Sequence, residues 1–288
     1  MGFFYTVVSL LKSMTHICRL TKAEGKFVKS HLLPKALTRP SQSGSPFIES
    51  ESGSRPMKRW DSWYDNKLVT RDGEDILSAF DDAGIVELRK HGLLWSGRND
   101  LSVAPAPDFF DEESGVGTRI INGVDTHAVR MFFLSLLWRC AASKRREVNS
   151  INLSEHKLEQ LRLMLVENRH TPNSAYPFTL TQLLEIGPIH NLSPQATTLP
   201  SMESNEQKSR PIHVFRFYLD GLIANIVRDK SDCSEGMPFN EKEGKMVVVC
   251  VKTKRSFQIV NLQKHAMETE TKWSDVVTKI GKTTIKGK

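Results

Sequence analysis

The dipeptide Asp220-Gly221 constrains this chain more than any other feature. It stands between two apolar runs, Val214-Phe215-Arg216-Phe217-Tyr218-Leu219 and Leu222-Ile223-Ala224-Asn225-Ile226-Val227. A two-residue loop ending in Gly is the chemistry of a tight hairpin, because both central residues take positive φ. The runs are rich in β-branched and aromatic residues, so they read as paired strands. A second hairpin is expected from residues 245–251 and 256–260 around Lys252-Thr253-Lys254-Arg255. Both hairpins are expected to join one antiparallel sheet. Residues 176–184 read as a further strand, and 96–118 and 193–211 as a loop and a polar linker.

Elsewhere the period is helical. Leu77, Phe80, Gly84 and Leu88 share one helical face and predict a helix from Arg71 to about His91. Asp72, Glu74 and Asp75 at its start and Arg89, Lys90 and His91 at its end complement the helix dipole, and Gly92 stops it. Asp125 N-caps a second helix to about Ser143, with an apolar stripe of Val129, Phe132, Phe133, Leu136, Leu137 and Cys140. Lys144-Arg145-Arg146 then either complements the helix terminus or touches nucleic acid. Ser154 opens a third helix bearing Leu158, Leu161, Met164 and Leu165. The second and third helices read as an antiparallel hairpin covering the first.

The composition, 39% hydrophobic and 25% charged over 288 residues, is that of a soluble domain. Cys18, Cys140, Cys233 and Cys250 have no short spacing. That pattern argues against a disulfide framework and a zinc knuckle, and for a reducing, cytoplasmic compartment. No apolar run has the length of a membrane span, so no membrane partner is expected. Residues 1–13 read as a leader outside the structured core, with Met14 an alternative start to Met1. Charge is unevenly placed: residues 19–59 hold nine Lys/Arg against three Asp/Glu, and residues 60–113 hold five against thirteen. A basic segment beside an acidic one suits a polyanion surface next to a cation site. The same pattern also suits a solvated surface.

The candidate chemistry lies in Phe27-Val28-Lys29-Ser30-His31-Leu32-Leu33-Pro34-Lys35, a strand that runs into a His, two apolar residues and a terminating Pro. It is expected to be the return strand of a hairpin within 14–39, whose first strand is residues 16–20 and whose turn is 22–25. Residues 40–59 are a Ser/Gly/Pro-rich loop. Trp60, Trp63 and Tyr64 then form either a core anchor or a base-stacking platform. Leu68-Val69-Thr70-Arg71-Asp72-Gly73-Glu74 opens the first helix.

This arrangement resembles the HNH (His-Me finger, ββα-metal) endonucleases. In that family the strand carries Asp-His-apolar-apolar-Pro, and its His is the general base. The following helix starts with Leu-Cys-x-x-Cys-His, whose cysteines belong to a zinc knuckle and whose His binds the catalytic metal. Here Ser30 stands for the Asp, Thr70 and Gly73 for the cysteines, and Glu74 for the metal-binding His. Cys18, with Thr21 after it, stands at the first knuckle pair. The chain also looks like a loosely defined group of bacterial proteins with a Ser-His-apolar-apolar-Pro signature, a Glu at the helix start and a Phe-apolar-Ser-apolar-apolar-Trp-Arg helix. That helix is here Phe133-Leu134-Ser135-Leu136-Leu137-Trp138-Arg139. The resemblance covers about residues 18–185.

The resemblance implies an α+β fold with a ββα, treble-clef-like core over 14–95. A helical region over 119–190 would pack on it, followed by antiparallel hairpins over 210–265 and a basic tail over 266–288. It implies a metal-dependent endonuclease of bacterial defence or mobile elements, with His31 as base. Glu74, with Asp65, Asp72 and Asp61, would hold Mg²⁺ or Mn²⁺, hard ions that prefer oxygen ligands. Lys29, Lys35, Arg39, Arg55, Lys58, Arg59 and Trp63 would contact DNA or RNA. No structural zinc is expected, because Cys18 alone remains of the knuckle ligands; Trp60, Trp63 and Leu77 would fill its place. The other reading of these residues is a non-catalytic scaffold that binds nucleic acid or a protein partner. There Ser30-His31 caps a turn and Glu74 only complements the helix dipole.

Overall fold

A computed structural model describes residues 16–38, 47–49, 57–98, 103–169, 175–187, 192–199, 211–229, 244–256, 271–272, 274–275 and 278–279. The fold is mixed α+β. Among the described residues it holds three α-helices, a seven-stranded sheet and three two-stranded pieces. The expected leader, Arg39, Arg55, the strand over 257–260 and most of the basic tail lie outside the described residues.

The N-terminal unit is built from short strands around one helix. β1 (His16–Ile17) pairs antiparallel with β2 (Glu24–Gly25), so the first strand ends earlier than expected and Glu24 and Gly25, expected in the turn, form its partner strand. The return strand differs from expectation. β3 (Ser30–His31) does not pair back onto residues 16–20; its partner is β6 (Tyr64–Asp65), with Ser30 opposite Asp65 and His31 opposite Tyr64. The reason is local: Cys18 N–H bonds Ala23 O and Arg19 N–H bonds Leu68 O, so the first strand is already occupied on both sides. Within residues 40–59, β4 (Phe47–Glu49) pairs with β5 (Met57–Arg59). β6 leads into α1 (Arg71–Lys90), close to the bounds that the apolar spacing predicts.

α2 (Thr126–Ala142) is the central helix. Asp125 caps it by accepting from Ala128 N–H. It is buried on nearly every side, from Val129 to Cys140, as a helix that is apolar all round must be. α3 (Glu155–Val166), capped by Ser154, packs against α2, and α1 packs on another of its sides. α2 therefore lies between its neighbours, where a hairpin of α2 and α3 laid over α1 was expected. Gly84 makes the α1–α2 contact close: a Cβ there would sit 2.3 Å from Phe132 Cβ.

The sheet also differs from expectation. β7 (Phe109–Asp111) and the start of β8 (Val116–Asn122) arise within the segment read as a loop, and β10 (Gln195–Leu199) within the segment read as a linker. With β9 (Phe178–Leu183), β11 (Ile212–Leu219), β12 (Leu222–Val227) and β13 (Lys245–Val251), the order is β10-β11-β12-β9-β13-β8-β7. The sheet is mixed, because β9 and β13 run parallel. β13 takes β8 as its antiparallel neighbour, and Thr253–Arg255 form a 3₁₀ turn where a hairpin loop was expected. The Asp220-Gly221 turn forms as its residues require, with φ of 49° and 85° and Leu219 opposite Leu222. Phe215, Phe217, Leu222, Ala224 and Ile226 face the helices, while Tyr218 and Ile223 alternate to the other face and meet Trp95.

Candidate active site

Two arms of the N-terminal unit come together at His31. Lys29, Ser30 and His31 arrive on β3, and the segment 61–65 returns beside them as β6. His31 is about a quarter exposed at its side chain. Its Nε2 donates to Asp61 Oδ1 at 3.3 Å. Asp61 also accepts from Ser62 N–H at 2.9 Å and from the Lys29 ammonium. Burial alone would raise the Asp61 pKa. The hydrogen bonds from Lys29, Ser62 and His31 outweigh it and hold the carboxyl at about 2. An ionised carboxylate only accepts, so the imidazole proton sits on Nε2 and Nδ1 is the basic nitrogen. The Tyr64 ring meets the imidazole edge-on at 6.2 Å and carries the Lys29 ammonium 4.1 Å from its centroid.

α1 supplies Glu74 in its first turn and Asp81 two turns later. Both answer to Arg139 of α2. The Arg139 guanidinium forks onto Asp81, with Nη2 2.5 Å from Oδ1 and Nη1 2.9 Å from Oδ2. It also donates to Leu77 O and to Ser135 Oγ. Nη1 reaches across to the main-chain oxygen of His31 at 2.9 Å. Burial opposes the charge on Arg139, and the Asp81 carboxylate, helped by Glu74, more than restores it. Glu74 Oε2 is buried and has no hydrogen-bond partner among the described residues.

A second convergence lies at the base of this unit. Cys18 Sγ accepts from Thr21 N–H at 3.5 Å. A Cβ on Gly73 would fall 2.7 Å from that sulfur. Burial raises the Cys18 pKa, and contacts from Thr21 and Thr70 lower it below the ordinary thiol value. Cys18, Thr21, Thr70 and Gly73, which lie far apart along the chain as two pairs, thus meet around one sulfur.

The remaining expected site residues disperse. Asp65 accepts from Ser143 Oγ–H at 2.7 Å and from Lys67 N–H at 2.8 Å, so both of its oxygens serve local structure. Asp72 is exposed on the first turn of α1. Among the described residues no group of three or more His, Cys, Asp and Glu side chains is placed to hold a metal ion. The four carboxylates therefore do not form a common cage. Of the four, Glu74 has a buried oxygen, Oε2, with no hydrogen-bond partner among the described residues. Mg²⁺ is commonly bound through one or two carboxylates with water and substrate phosphate completing its shell.

Of the basic residues, Lys35 is exposed at the start of a 3₁₀ turn. The backbone of Lys58 pairs with Ile48 in the β4–β5 hairpin. Arg59 bonds Glu147 at 2.9 Å, and its guanidinium lies 5.5 Å from the Trp63 ring centroid. Trp63 is a correction. It is 1% exposed and belongs to the core, so its face is closed to a base. Trp60, expected to help fill the core, is instead 67% exposed.

Arg139 and Asp81 were not among the residues singled out for chemistry. A signal for them existed: Ser135 and Arg139, one turn apart, interrupt the otherwise apolar run of residues 131–142. Compared with family models, with curated proteins and with solved structures, the chain has no match in any of the three.

Proposed function

We propose that the chain is a degenerate HNH-type, metal-dependent endonuclease, in which β3, β6 and α1 act as the ββα finger. The observation that carries this reading is the His31–Asp61 pair. A strand-end imidazole is anchored at Nε2 by a carboxylate held ionised at about 2, which leaves Nδ1 to take a proton from water. The meeting of Cys18, Thr21, Thr70 and Gly73 supports the same kinship, because those are the positions that correspond to the knuckle. Glu74 supports it, as its buried Oε2 in the first turn of α1 has no hydrogen-bond partner among the described residues.

In this reading Nδ1 of His31 deprotonates the attacking water, and Asp61 stabilises the imidazolium that forms. A divalent ion, when bound, supplies Lewis-acid stabilisation of the charge growing on the phosphate oxygens. Glu74 is the residue that would hold it. Asp61 orients the base and is not a metal ligand, since Lys29, Ser62 and His31 take its oxygens. Lys29 neutralises Asp61 and is not a freely swinging phosphate contact.

The second reading is a non-catalytic scaffold that binds nucleic acid or a protein partner. The dispersal of Asp65 and Asp72 away from Glu74 favours it.

The test is incubation of purified protein with plasmid DNA and with RNA in Mg²⁺ or Mn²⁺. Divalent-dependent nicking is expected. His31→Ala should reduce it by about 10²–10⁴-fold while the protein stays folded, as loss of a general base does. Activity near wild type in that variant removes His31 as the base. No cleavage by the wild-type protein with either metal favours the scaffold.

A further inference from the structure

The peptide group that follows His31 is held at both ends. Its N–H, on Leu32, donates to Trp63 O at 2.7 Å. Its C=O, on His31, accepts from Arg139 Nη1 at 2.9 Å. The first bond comes from the return segment of the same small unit. The second comes from α2, which lies 108 residues further along the chain. Arg139 is 1% exposed, and its remaining bonds go to Asp81 and Leu77 O of α1 and to Ser135 of its own helix. One rigid guanidinium thus ties together the strand that carries the imidazole, the helix that carries Glu74 and the central helix of the molecule. Its planar fork of donors makes these contacts at once, which an ammonium cannot do.

We propose that Arg139 is a positioning residue for His31: by fixing the His31–Leu32 peptide plane against α1 it sets the direction of the imidazole. The inference rests on the reading of His31 as base. Arg139 touches no reacting atom; it acts through the main chain of the residue that does. Such a bond matters because a catalytic group displaced by about 1 Å can lose about 10²-fold in rate. The placement also gives the Phe133–Arg139 stretch a physical meaning. Phe133 and Trp138 seat the helix in the core, Ser135 braces the guanidinium, and Arg139 delivers it.

The experiment compares Arg139→Lys with Leu137→Ala, a core truncation on the same helix whose side chain makes no polar bond to β3. Both are studied at a temperature where each is fully folded by circular dichroism. Amide hydrogen exchange is measured residue by residue, with cleavage of plasmid DNA in Mg²⁺ measured in parallel. In Arg139→Lys, Leu32 N–H should exchange at least about tenfold faster relative to the amides of β11 and β12, the change that loss of one fixing bond produces. The turnover number should fall about 10²-fold with KM unchanged within about twofold. In Leu137→Ala both readouts should follow global stability only. Unchanged Leu32 protection in Arg139→Lys overturns the proposal, and so does an equal effect in Leu137→Ala. If the wild-type protein cleaves nothing, the nuclease reading fails while the exchange result still decides the clamp. If Arg139→Lys does not fold, Ser135→Ala, which removes one brace of the guanidinium, should show the same Leu32 effect at smaller size; unchanged protection there overturns it equally.

Discussion

At the scale of single residues, Asp61 is the group whose ionisation the fold uses most directly. Its pKa is about 2 against an ordinary 3.8. A depressed carboxylate adds stability that is complete above its unfolded pKa and lost as pH falls toward the folded one. The contribution is on the order of 2 kcal/mol at most. Chemical denaturation of wild type and Asp61→Asn should therefore give curves that differ at pH 5 and converge between pH 4 and 2. Parallel curves across that range would remove the Lys29–Asp61–His31 link. Trp63 supports a second prediction. Buried beneath Arg59, it should cost about 3–5 kcal/mol when changed to Ala, as core aromatics do. A stacking residue on the surface would cost almost nothing.

At the scale of elements, the seam between α1 and α2 positions the chemistry, because Arg139 reaches Asp81, Leu77 O and His31 O across it. That seam depends on Gly84. Gly→Ala in a helix ordinarily stabilises by about 1 kcal/mol. Here the added Cβ would meet Phe132 Cβ at 2.3 Å, an atom next to backbone that cannot swing away. Gly84→Ala should instead destabilise, by about 1–3 kcal/mol net, and should lower any cleavage activity with it. An urea midpoint equal to or above wild type would contradict the packing. The basic run Lys144-Arg145-Arg146 lies past the last residue of α2, and Arg145 joins Arg59 on Glu147. Its role as a helix C-terminal charge set is thus smaller than the sequence pattern suggests.

At the scale of the whole molecule, the helical unit and the far face of the sheet are joined by the segment that follows α1. Trp95 N–H donates to Asp220 O, and Ser96 N–H to Asp220 Oδ2, both at 2.9 Å. Arg98, 2% exposed, donates to Leu183 O, Leu184 O and Gly92 O. Burial pushes its pKa down to about 10, which leaves it charged at neutral pH. Arg98→Ala should take its donor from Leu183 O, while Leu184 O keeps Ala104 N–H and Gly92 O keeps Gln182 Nε2, and should cost about 1–3 kcal/mol. Thermal unfolding should then begin in the sheet before the helices, read as separation of amide-exchange rates between β11–β12 and α2. A single transition at the wild-type temperature would show that the two parts do not depend on Arg98.

The three helices and the Asp220-Gly221 hairpin were legible in the sequence because their causes are local. Apolar spacing along α1 and α2, Asp125 and Ser154 as caps, and two residues at positive φ act within a few positions of one another. β7, β8 and β10 were not legible. Val116-Gly117-Thr118-Arg119-Ile120 has no clear alternation, and it becomes a strand because β13 offers it a seven-residue register. The candidate site divides in the same way. His31 and Glu74 could be singled out from motif spacing alone. That Asp61 is the partner of His31, that Asp65 bonds Ser143 and Lys67, and that Arg139 reaches the His31 carbonyl from 108 residues away were decided by tertiary structure. Hydrogen bonds and ion pairs form between groups that packing brings within about 3 Å, and sequence separation carries no record of that distance.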